Sequence, residues 1–300
     1  MKRFIKYISF VAVPIIILLI VGEIYVEGIP NPARDKHRWM RENSDCVKTL
    51  ILGSSHSYYG VRPDVLEDST FSLALPSQTY RYDDYLLHHY KMKNLKNIVL
   101  TYSYFSMWED LESQPGEEFL AMRYRIYMDC DIHPRWGWYG FEFMSIPSFK
   151  EKLKSIYQPA RMTWDSHGWG SNYTKELRNP DWDNGKERAM RNTYKGHDSI
   201  FVLNKKFLSS IIDYCEQNNV RLYLISTPLS DTFIKNKNKR QDRINKVFLS
   251  KLLEKHSCVE YLDFESDSRF TADDFYDSDH LNSDGATKLT VILKKIVGQL

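Results

Sequence analysis

The sequence has 300 residues, with 41 Lys and Arg against 39 Asp and Glu, and 42% of its residues are hydrophobic. This composition excludes a disordered chain, a collagen-like repeat and a coiled-coil rod. The formal net charge of +2 gives no general attraction to nucleic acid, and zinc-finger, RNA-recognition and Walker patterns are absent from the sequence. We therefore expect a globular protein without a nucleic-acid partner.

The amino terminus has a short basic tail followed by an uncharged apolar run over residues 8–22. Glu23 interrupts the run, which then continues, so residues 8–26 form a stretch of 19 residues that is just long enough to cross a bilayer core as a helix. We predict a cytoplasmic tail and transmembrane anchor over residues 1–26, with the main domain outside the cytoplasm. A cleaved signal peptide and a buried soluble helix are the alternatives.

The remaining chain divides into a polar juxtamembrane linker, residues 27–45, and a main domain, residues 46–300. The domain contains five short apolar runs that alternate with helical patterns, and this alternation predicts an α/β fold with a parallel sheet covered on both faces. In such sheets, sites form beyond the carboxyl ends of the strands. The predicted strands are residues 47–52, 71–75, 97–103, 220–227 and 259–264.

A long insertion, about residues 105–198, interrupts this alternation and contains six of the seven tryptophans. Exposed aromatic rings can stack on sugars, but tryptophan is also commonly buried, so a sugar-binding platform and ordinary packing are both open. The tryptophans are Trp108, Trp136, Trp138, Trp164, Trp169 and Trp182.

The four cysteines lack CxxC spacing, so a zinc site is not expected, and the sequence leaves their disulfide state open. They are Cys46, Cys130, Cys215 and Cys258.

The first predicted strand ends in Gly53-Ser54-Ser55-His56. Glycine permits a tight turn there, and a serine on that turn can project its hydroxyl into the crevice. A free serine is a weak nucleophile and needs an adjacent base. A polar turn with a capping serine accounts for the same residues.

A second polar group, Asp277-Ser278-Asp279-His280, precedes the last predicted helix. The spacing lets Asp277 bind one imidazole nitrogen of His280 and leaves the other for a nucleophile. An acidic surface loop with a structural histidine is the alternative. A metal site is a further rival, but the spacing matches no calcium loop, so we predict neither a metal nor a cofactor. Its oxygen ligands would come from Asp273, Asp274, Asp277 and Asp279.

These two groups together resemble the SGNH/GDSL hydrolase superfamily, over roughly residues 47–104 and 199–298. The resemblance implies a flavodoxin-like three-layer α/β/α sandwich, with Ser55 as nucleophile, His280 as base and Asp277 as orienting acid. The basic tail, the apolar span and the Leu52-Gly53-Ser54-Ser55-His56 motif look like membrane-anchored SGNH-like proteins of bacterial envelopes. The chain is broadly similar to the anchored proteins of teichoic-acid D-alanylation and alginate O-acetylation.

The sequence departs from the superfamily pattern at its oxyanion-hole residues. Gly53-Ser54-Ser55 replaces Gly-Asp-Ser, and no asparagine follows the third strand. We take as candidate oxyanion or substrate contacts Gly53, His56, Ser77, Gln78 and Ser103.

The resemblance implies a membrane-anchored serine esterase or O-acyltransferase that acts on an acylated cell-envelope polysaccharide, with a membrane-bound acyl donor as a further partner. An inactive SGNH-fold subunit that binds carbohydrate or helps assembly is the alternative, because the oxyanion motifs are incomplete. The sequence identifies neither the substrate, the acyl group nor the oligomeric state.

Overall fold

Five short apolar runs form one parallel sheet in the part of the chain that is described. In the computed structural model that part comprises residues 2–113, 118–132, 140–142, 146–157, 163–194, 196 and 198–297. The strands of the sheet are β1 (Thr49–Leu52), β2 (Thr70–Ser72), β3 (Asn97–Thr101), β4 (Arg221–Ser226) and β5 (Val259–Asp263).

The strand order β2-β1-β3-β4-β5 is the flavodoxin-like order of a doubly wound sheet. Strands β1 and β2 are buried throughout, as expected when helices cover both faces. The chain moves from β1 outward to β2 and then back across the sheet to β5. Since parallel crossovers are right-handed, this reversal distributes the connecting helices over both faces. The predicted α/β fold with a parallel sheet is confirmed.

Helices account for most of the remaining described chain. In order they are α1 (Lys2–Gly28), α2 (Pro32–Asn43), α3 (Ser55–Gly60), α4 (Pro63–Leu66), α5 (Tyr80–His89), α6 (Met122–Tyr127), α7 (Ile146–Tyr157), α8 (Gly185–Arg191), α9 (Asp198–Asn218), α10 (Asp231–Asn236), α11 (Lys239–Lys255) and α12 (Ser283–Val297). Helix α12 packs against α3 and α4, and α9 packs against α5. Short 3-10 helices lie at Ser44–Cys46, Leu111–Ser113, Glu118–Ala121 and Ala272–Asp274.

Helix α1 is apolar and exposed along most of its length. Its segment Lys6–Gly28 reaches a mean hydropathy of 2.5, and Phe10 and Leu18 are 81% and 74% exposed. By length and composition this helix can cross a membrane, and an amino-terminal signal sequence has the same properties.

Most of the predicted linker forms α2, which packs on the domain. Pro32 occupies its first turn, and the Asn31 side chain caps it by accepting a hydrogen bond from the Arg34 N–H at 2.9 Å. Lys36 is buried, and its ammonium donates to the Ala74 carbonyl at 2.5 Å. Ala33 and Met40 are buried on the same helix, so this mostly polar segment packs on the domain through two apolar residues and the stem of a lysine. The division at residues 27 and 46 stays a prediction.

The insertion is helical where it is described, with α6, α7 and α8 as its helices. Trp108 and Trp169 are buried, and their indole N–H groups donate to the Asn245 side chain at 2.7 Å and the Tyr59 carbonyl at 2.9 Å. Packing therefore accounts for these two rings. Trp164 and Trp182 are partly buried against the core, and Trp136 and Trp138 lie outside the described residues.

All four cysteines carry free thiols in this structure, and two of them, Cys130 and Cys215, are buried. Burial raises the pKa of the Cys130 thiol to about 12, so this thiol is inert at neutral pH.

Candidate active site

The turn after β1 presents Ser55 at the carboxyl edge of the sheet. Gly53 adopts a φ of +110°, and a Cβ there would lie 2.3 Å from Thr101 Oγ1, so glycine alone fits this position. Ser54 then takes an extended conformation and Ser55 begins α3. The nucleophile candidate thus stands at the first residue of a helix, beyond the end of the strand.

The loop before α12 brings His280 and Asp277 to Ser55. His280 Nε2 lies 2.8 Å from Ser55 Oγ, and His280 Nδ1 lies 2.9 Å from Asp277 Oδ1. The same Asp277 oxygen accepts the His280 backbone N–H at 2.9 Å, which fixes the carboxylate beside the ring. Asn282 caps the helix that follows, through the N–H groups of residues 284 and 285. The three predicted residues therefore have the geometry of a serine–histidine–aspartate relay.

Arg188, on helix α8 of the insertion, contacts His280 and the two carboxylates beside it, those of Asp277 and Asp279. Its Nε donates to Asp279 at 2.7 Å, and its Nη2 lies 3.1 Å from Asp277 Oδ2 and 2.9 Å from His280 Nδ1. A Cβ at Gly185 would lie 2.3 Å from the backbone of α10, so glycine lets α8 approach closely enough to place this arginine. The sequence contains no signal for this contact.

Arg188 and Asp277 compete for the same nitrogen of His280. A guanidinium only donates, so a hydrogen bond to Nδ1 would require the imidazole proton on Nε2, where it blocks acceptance from Ser55. A hydrogen bond from Nδ1 to Asp277 leaves Nε2 free to accept. The productive tautomer is therefore the one in which Asp277, rather than Arg188, binds Nδ1.

The surroundings favour the protonated form of His280. Burial lowers its pKa, but the neighbouring carboxylates Asp277 and Asp279 outweigh burial and raise the pKa to about 9. An imidazole with this pKa is mostly protonated at pH 7, so only the smaller, neutral fraction could accept a proton from Ser55.

His56 and Ser103 form a buried layer behind the group of Ser55, His280 and Asp277. His56 Nδ1 lies 2.8 Å from Ser103 Oγ and 3.2 Å from Thr227 Oγ1, and its Nε2 lies 3.5 Å from Asp279 Oδ2. Burial lowers the pKa of His56, which favours a neutral ring. This layer supports Asp279, and the Ser103 hydroxyl that we considered for substrate contact is engaged with His56.

Asp83, on α5, binds the turn that carries Ser55. Its Oδ1 accepts the Gly53 backbone N–H at 2.8 Å and the Gln78 side-chain N–H at 2.6 Å. The Tyr124 hydroxyl donates to the Gln78 carbonyl oxygen at 2.9 Å. Two candidate oxyanion donors, Gly53 and Gln78, are thus already bound to one carboxyl group. Nothing in the sequence around Asp83 signals this role.

We expect Asp83→Asn to change how stability depends on pH. Burial raises the pKa of Asp83 to about 7 from its ordinary 3.8, so the protonated carboxyl contributes stability at low pH that is lost as the pH rises through 7. Between pH 5 and pH 8 the full-length protein should lose about 2 kcal/mol relative to the variant, measured by urea unfolding in detergent. Asp68→Asn, at an exposed carboxyl group, is the control, and a loss of stability between pH 5 and pH 8 that is the same in the wild type and in Asp83→Asn would contradict this account.

Ser55 opens into a cleft of about 420 Å³. Of the five predicted oxyanion or substrate contacts, Ser77 alone lines it, with a φ of +58°. The insertion supplies Tyr173, Arg188 and Asn192 to its wall. A larger cavity of about 550 Å³ beside α2 contains no member of the serine–histidine–aspartate group, so the cleft is the candidate site.

Tyrosines, rather than tryptophans, form the aromatic wall of the cleft in the described chain. Tyr173 stacks between Tyr59 at 3.6 Å and Tyr276 at 3.8 Å, and its ring meets His280 edge-on at 5.5 Å between centroids. Such a wall shields His280 from water, and both faces of the Tyr173 ring are covered by the neighbouring tyrosines. None of the described tryptophans lines this cleft.

The acidic loop that we considered as a metal site is neutralised by cations of the chain itself. Asp273 pairs with Lys175 at 2.8 Å and Asp274 pairs with Lys288 at 2.6 Å. His56, Asp279 and His280 do bring three ligand atoms within 4.8 Å of one another, but the Arg188 guanidinium binds Asp279 there. The guanidinium would repel a metal ion bound at that point.

Comparison with known proteins gives partial matches. A protein-family model matches residues 185–300, less than half of the chain, and a search of curated proteins finds no match. Sixteen solved chains match in structure. These include a candidate acylhydrolase from Bacteroides fragilis, 10% identical, with a TM-score of 0.43 over 87% of this chain and 95% of its own.

Two further matches are a candidate platelet activating factor from Streptococcus pneumonia and a candidate arylesterase from Agrobacterium tumefaciens. The first is 10% identical, with a TM-score of 0.44 over 96% of this chain and 99% of its own. The second is 11% identical, with a TM-score of 0.35 over 84% and 99%. All three scores lie below 0.5, so the fold assignment rests on the strand order and the site on its own distances.

Proposed function

We propose that the protein is a serine esterase or O-acyltransferase of the SGNH/GDSL type. The observation that carries this proposal is the 2.8 Å contact between Ser55 Oγ and His280 Nε2, with Asp277 on the opposite nitrogen. Ser55 Oγ attacks an ester carbonyl carbon as its proton passes to His280. The protonated His280 then gives that proton to the departing alkoxide, which leaves an acyl-enzyme. Water or a sugar hydroxyl accepts the acyl group and restores the free serine.

An acylated cell-envelope glycan is the proposed substrate. Polar side chains that line the cleft, among them Ser77, Arg188 and Asn192, suit the hydroxyl groups of a sugar, and α1 would hold the cleft close to a membrane surface. The proposed arrangement has the amino terminus in the cytoplasm and the main domain outside it. A membrane-bound acyl donor is the corresponding partner if the reaction is a transfer.

The oxyanion hole must use donors other than those that Asp83 and His56 occupy. The Ser55 backbone N–H stands at the first position of α3, where a helix offers no internal acceptor. Asn192 lines the cleft, and its side-chain amide carries two N–H donors. We propose these two groups as the donors to the developing oxyanion.

The charges around His280 determine how the proposed esterase activity should depend on pH. Its pKa of about 9 means that kcat/KM for an ester should rise about tenfold per pH unit from pH 7 and level off above about pH 9. Asp279→Asn removes one of the two carboxylates that raise this pKa and should move the rising limb to lower pH. A wild-type profile that is flat from pH 6 to pH 9 would refute this role for His280.

The direct test of the function is acyl release from a glycan. Full-length protein in detergent is incubated with an O-acetylated polysaccharide, and free acetate and acetylated acceptor sugar are both measured. Acetate release supports an esterase and acceptor labelling supports a transferase, provided that Ser54→Ala retains the activity. Failure of wild-type protein on glycan and on simple aryl esters alike would reject both forms of the enzyme.

A glycan-binding subunit without catalysis is the second candidate. It is favoured by the engagement of Gly53, Gln78 and Ser103 in internal hydrogen bonds, which leaves the oxyanion hole without these donors. Glycan binding that is the same in wild type and in Ser55→Ala, with no turnover by either protein, is the result expected from this alternative.

A further inference from the structure

A cluster of two histidines and one aspartate joins the amino-terminal helix α2 to the domain. His37 lies on α2, His89 is the last residue of α5, and Asp129 follows α6. His37 Nε2 is 3.4 Å and His89 Nε2 is 4.0 Å from the same oxygen, Asp129 Oδ2. All three ligand atoms lie within 4.8 Å of one another. The cluster shares no residue with the catalytic cleft.

The hydrogen bonds of Tyr85 determine which nitrogen of His89 carries a proton. The Tyr85 hydroxyl donates its one hydrogen to the Asp129 backbone carbonyl, and it also lies 3.1 Å from His89 Nδ1. With its hydrogen committed, the tyrosine oxygen can only accept from His89, so Nδ1 carries the proton. In the neutral ring, Nε2 therefore presents a lone pair to the Asp129 carboxylate. Two acceptors then face each other, an arrangement that calls for a cation between them.

The outer contacts of the cluster are those of a metal-binding histidine pair. His37 Nδ1 lies 2.9 Å from the Tyr90 hydroxyl and His89 Nδ1 lies 3.1 Å from the Tyr85 hydroxyl, so both rings turn Nε2 toward Asp129. Metal-bound histidines usually engage their second nitrogen in this way. Asp129 has a φ of +53°, and its side chain is 65% exposed, which leaves room for water as a further ligand.

We propose that His37, His89 and Asp129 bind a divalent transition metal, with Zn²⁺ as the favoured ion. Two imidazoles and one carboxylate are ligands that zinc accepts, and solvent supplies the fourth position. Ligand atoms around tetrahedral zinc lie about 3.3 Å apart, which the His37–Asp129 separation already matches. The ion fastens α2, and hence the segment that follows the membrane helix, to the catalytic domain.

Metal titration of the full-length protein in detergent tests this site, after purification through a tag without histidine and removal of metals. Zn²⁺ binding is measured by calorimetry, and Co²⁺ absorption reports tetrahedral geometry. We expect one ion per chain, with binding at least about tenfold weaker in His37→Gln, His89→Gln and Asp129→Asn. His88→Gln is the matched control, since His88 lies beside His89 but binds the Asp84 carbonyl at 2.9 Å instead.

His280→Gln separates this site from the histidine cluster in the cleft. If the proposal is correct, His280→Gln still binds zinc and His89→Gln binds it at least about tenfold more weakly. Zinc should raise the melting temperature of the wild type and of His88→Gln, but not that of His37→Gln or His89→Gln. Equal zinc binding by the wild type, His37→Gln and His89→Gln would overturn it. So would the absence of a bound ion in the wild type.

Discussion

Replacing Ser55 with alanine is expected to lower kcat for ester hydrolysis by about 10⁴-fold or more. The reason is that the variant retains the cleft and the base but cannot form the acyl-enzyme, so only binding and oxyanion stabilisation continue to act. Unfolding in urea should be nearly unchanged, because Ser55 loses a single partly buried hydrogen bond, that to His280. The measurement is the initial rate of aryl-ester hydrolysis at pH 9.

Ser54→Ala is the matched control for this variant. Ser54 is the adjacent serine, it also lines the cleft, and its buried hydroxyl has no hydrogen-bond partner among the described residues. Its removal should therefore change kcat by less than about threefold. His280→Ala should match Ser55→Ala, and the double variant should be no slower than either, because the two residues act as a unit. Equal losses in Ser54→Ala and Ser55→Ala would indicate a disturbed turn rather than a lost nucleophile.

Asp277→Asn is expected to have the second largest effect, a fall in kcat of about 10³–10⁴-fold. An asparagine amide can donate to His280 Nδ1, and Arg188 Nη2, which lies 2.9 Å from that nitrogen, can then donate to it as well, so both groups would stabilise the imidazole with its proton on Nε2. That tautomer cannot accept a proton from Ser55. The expected loss is in kcat rather than KM, which steady-state kinetics on a soluble ester would measure.

Asp279→Asn provides the contrast for Asp277→Asn. Asp279 binds Arg188 at 2.7 Å and supports the His56 layer, so its replacement should lower the pKa of His280 without imposing the wrong tautomer. We expect activity at neutral pH to be retained or raised in this variant. Similar large losses in both variants would show that the carboxylates act together, and Asp277 would then have no special orienting role.

The sequence predicted the sheet well because its strands are short apolar runs that end in turns. Strand β4 was expected at residues 220–227 and lies at Arg221–Ser226. The second strand was expected at residues 71–75 but is Thr70–Ser72, although the chain continues beside β1, where the Leu73 and Leu75 N–H groups donate to the Ile51 and Gly53 carbonyls at 2.9 and 3.2 Å. Edge strands have one neighbour, so tertiary contacts, rather than propensity, decide where they end.

Contacts within the candidate site were predicted only where the two residues lie close together in the sequence. Asp277 and His280 lie three residues apart in one loop, and their pairing follows from that spacing. Arg188 and Asp83 reach the site from α8 and α5 across long stretches of chain, so no local pattern announces them. The same limit applies to His89, whose cluster partner is His37 on another helix rather than the adjacent His88.

The central claim is that Ser55 is an activated nucleophile, and covalent labelling tests it most directly. The full-length protein in detergent is treated at pH 9 with a small fluorophosphonate, and the modified peptide is mapped by mass spectrometry. We predict labelling of Ser55 in the wild type and in Ser54→Ala, and none in Ser55→Ala or His280→Ala. Folded wild-type protein that stays unlabelled by the small probe, or labelling that persists in His280→Ala, would contradict the proposed chemistry.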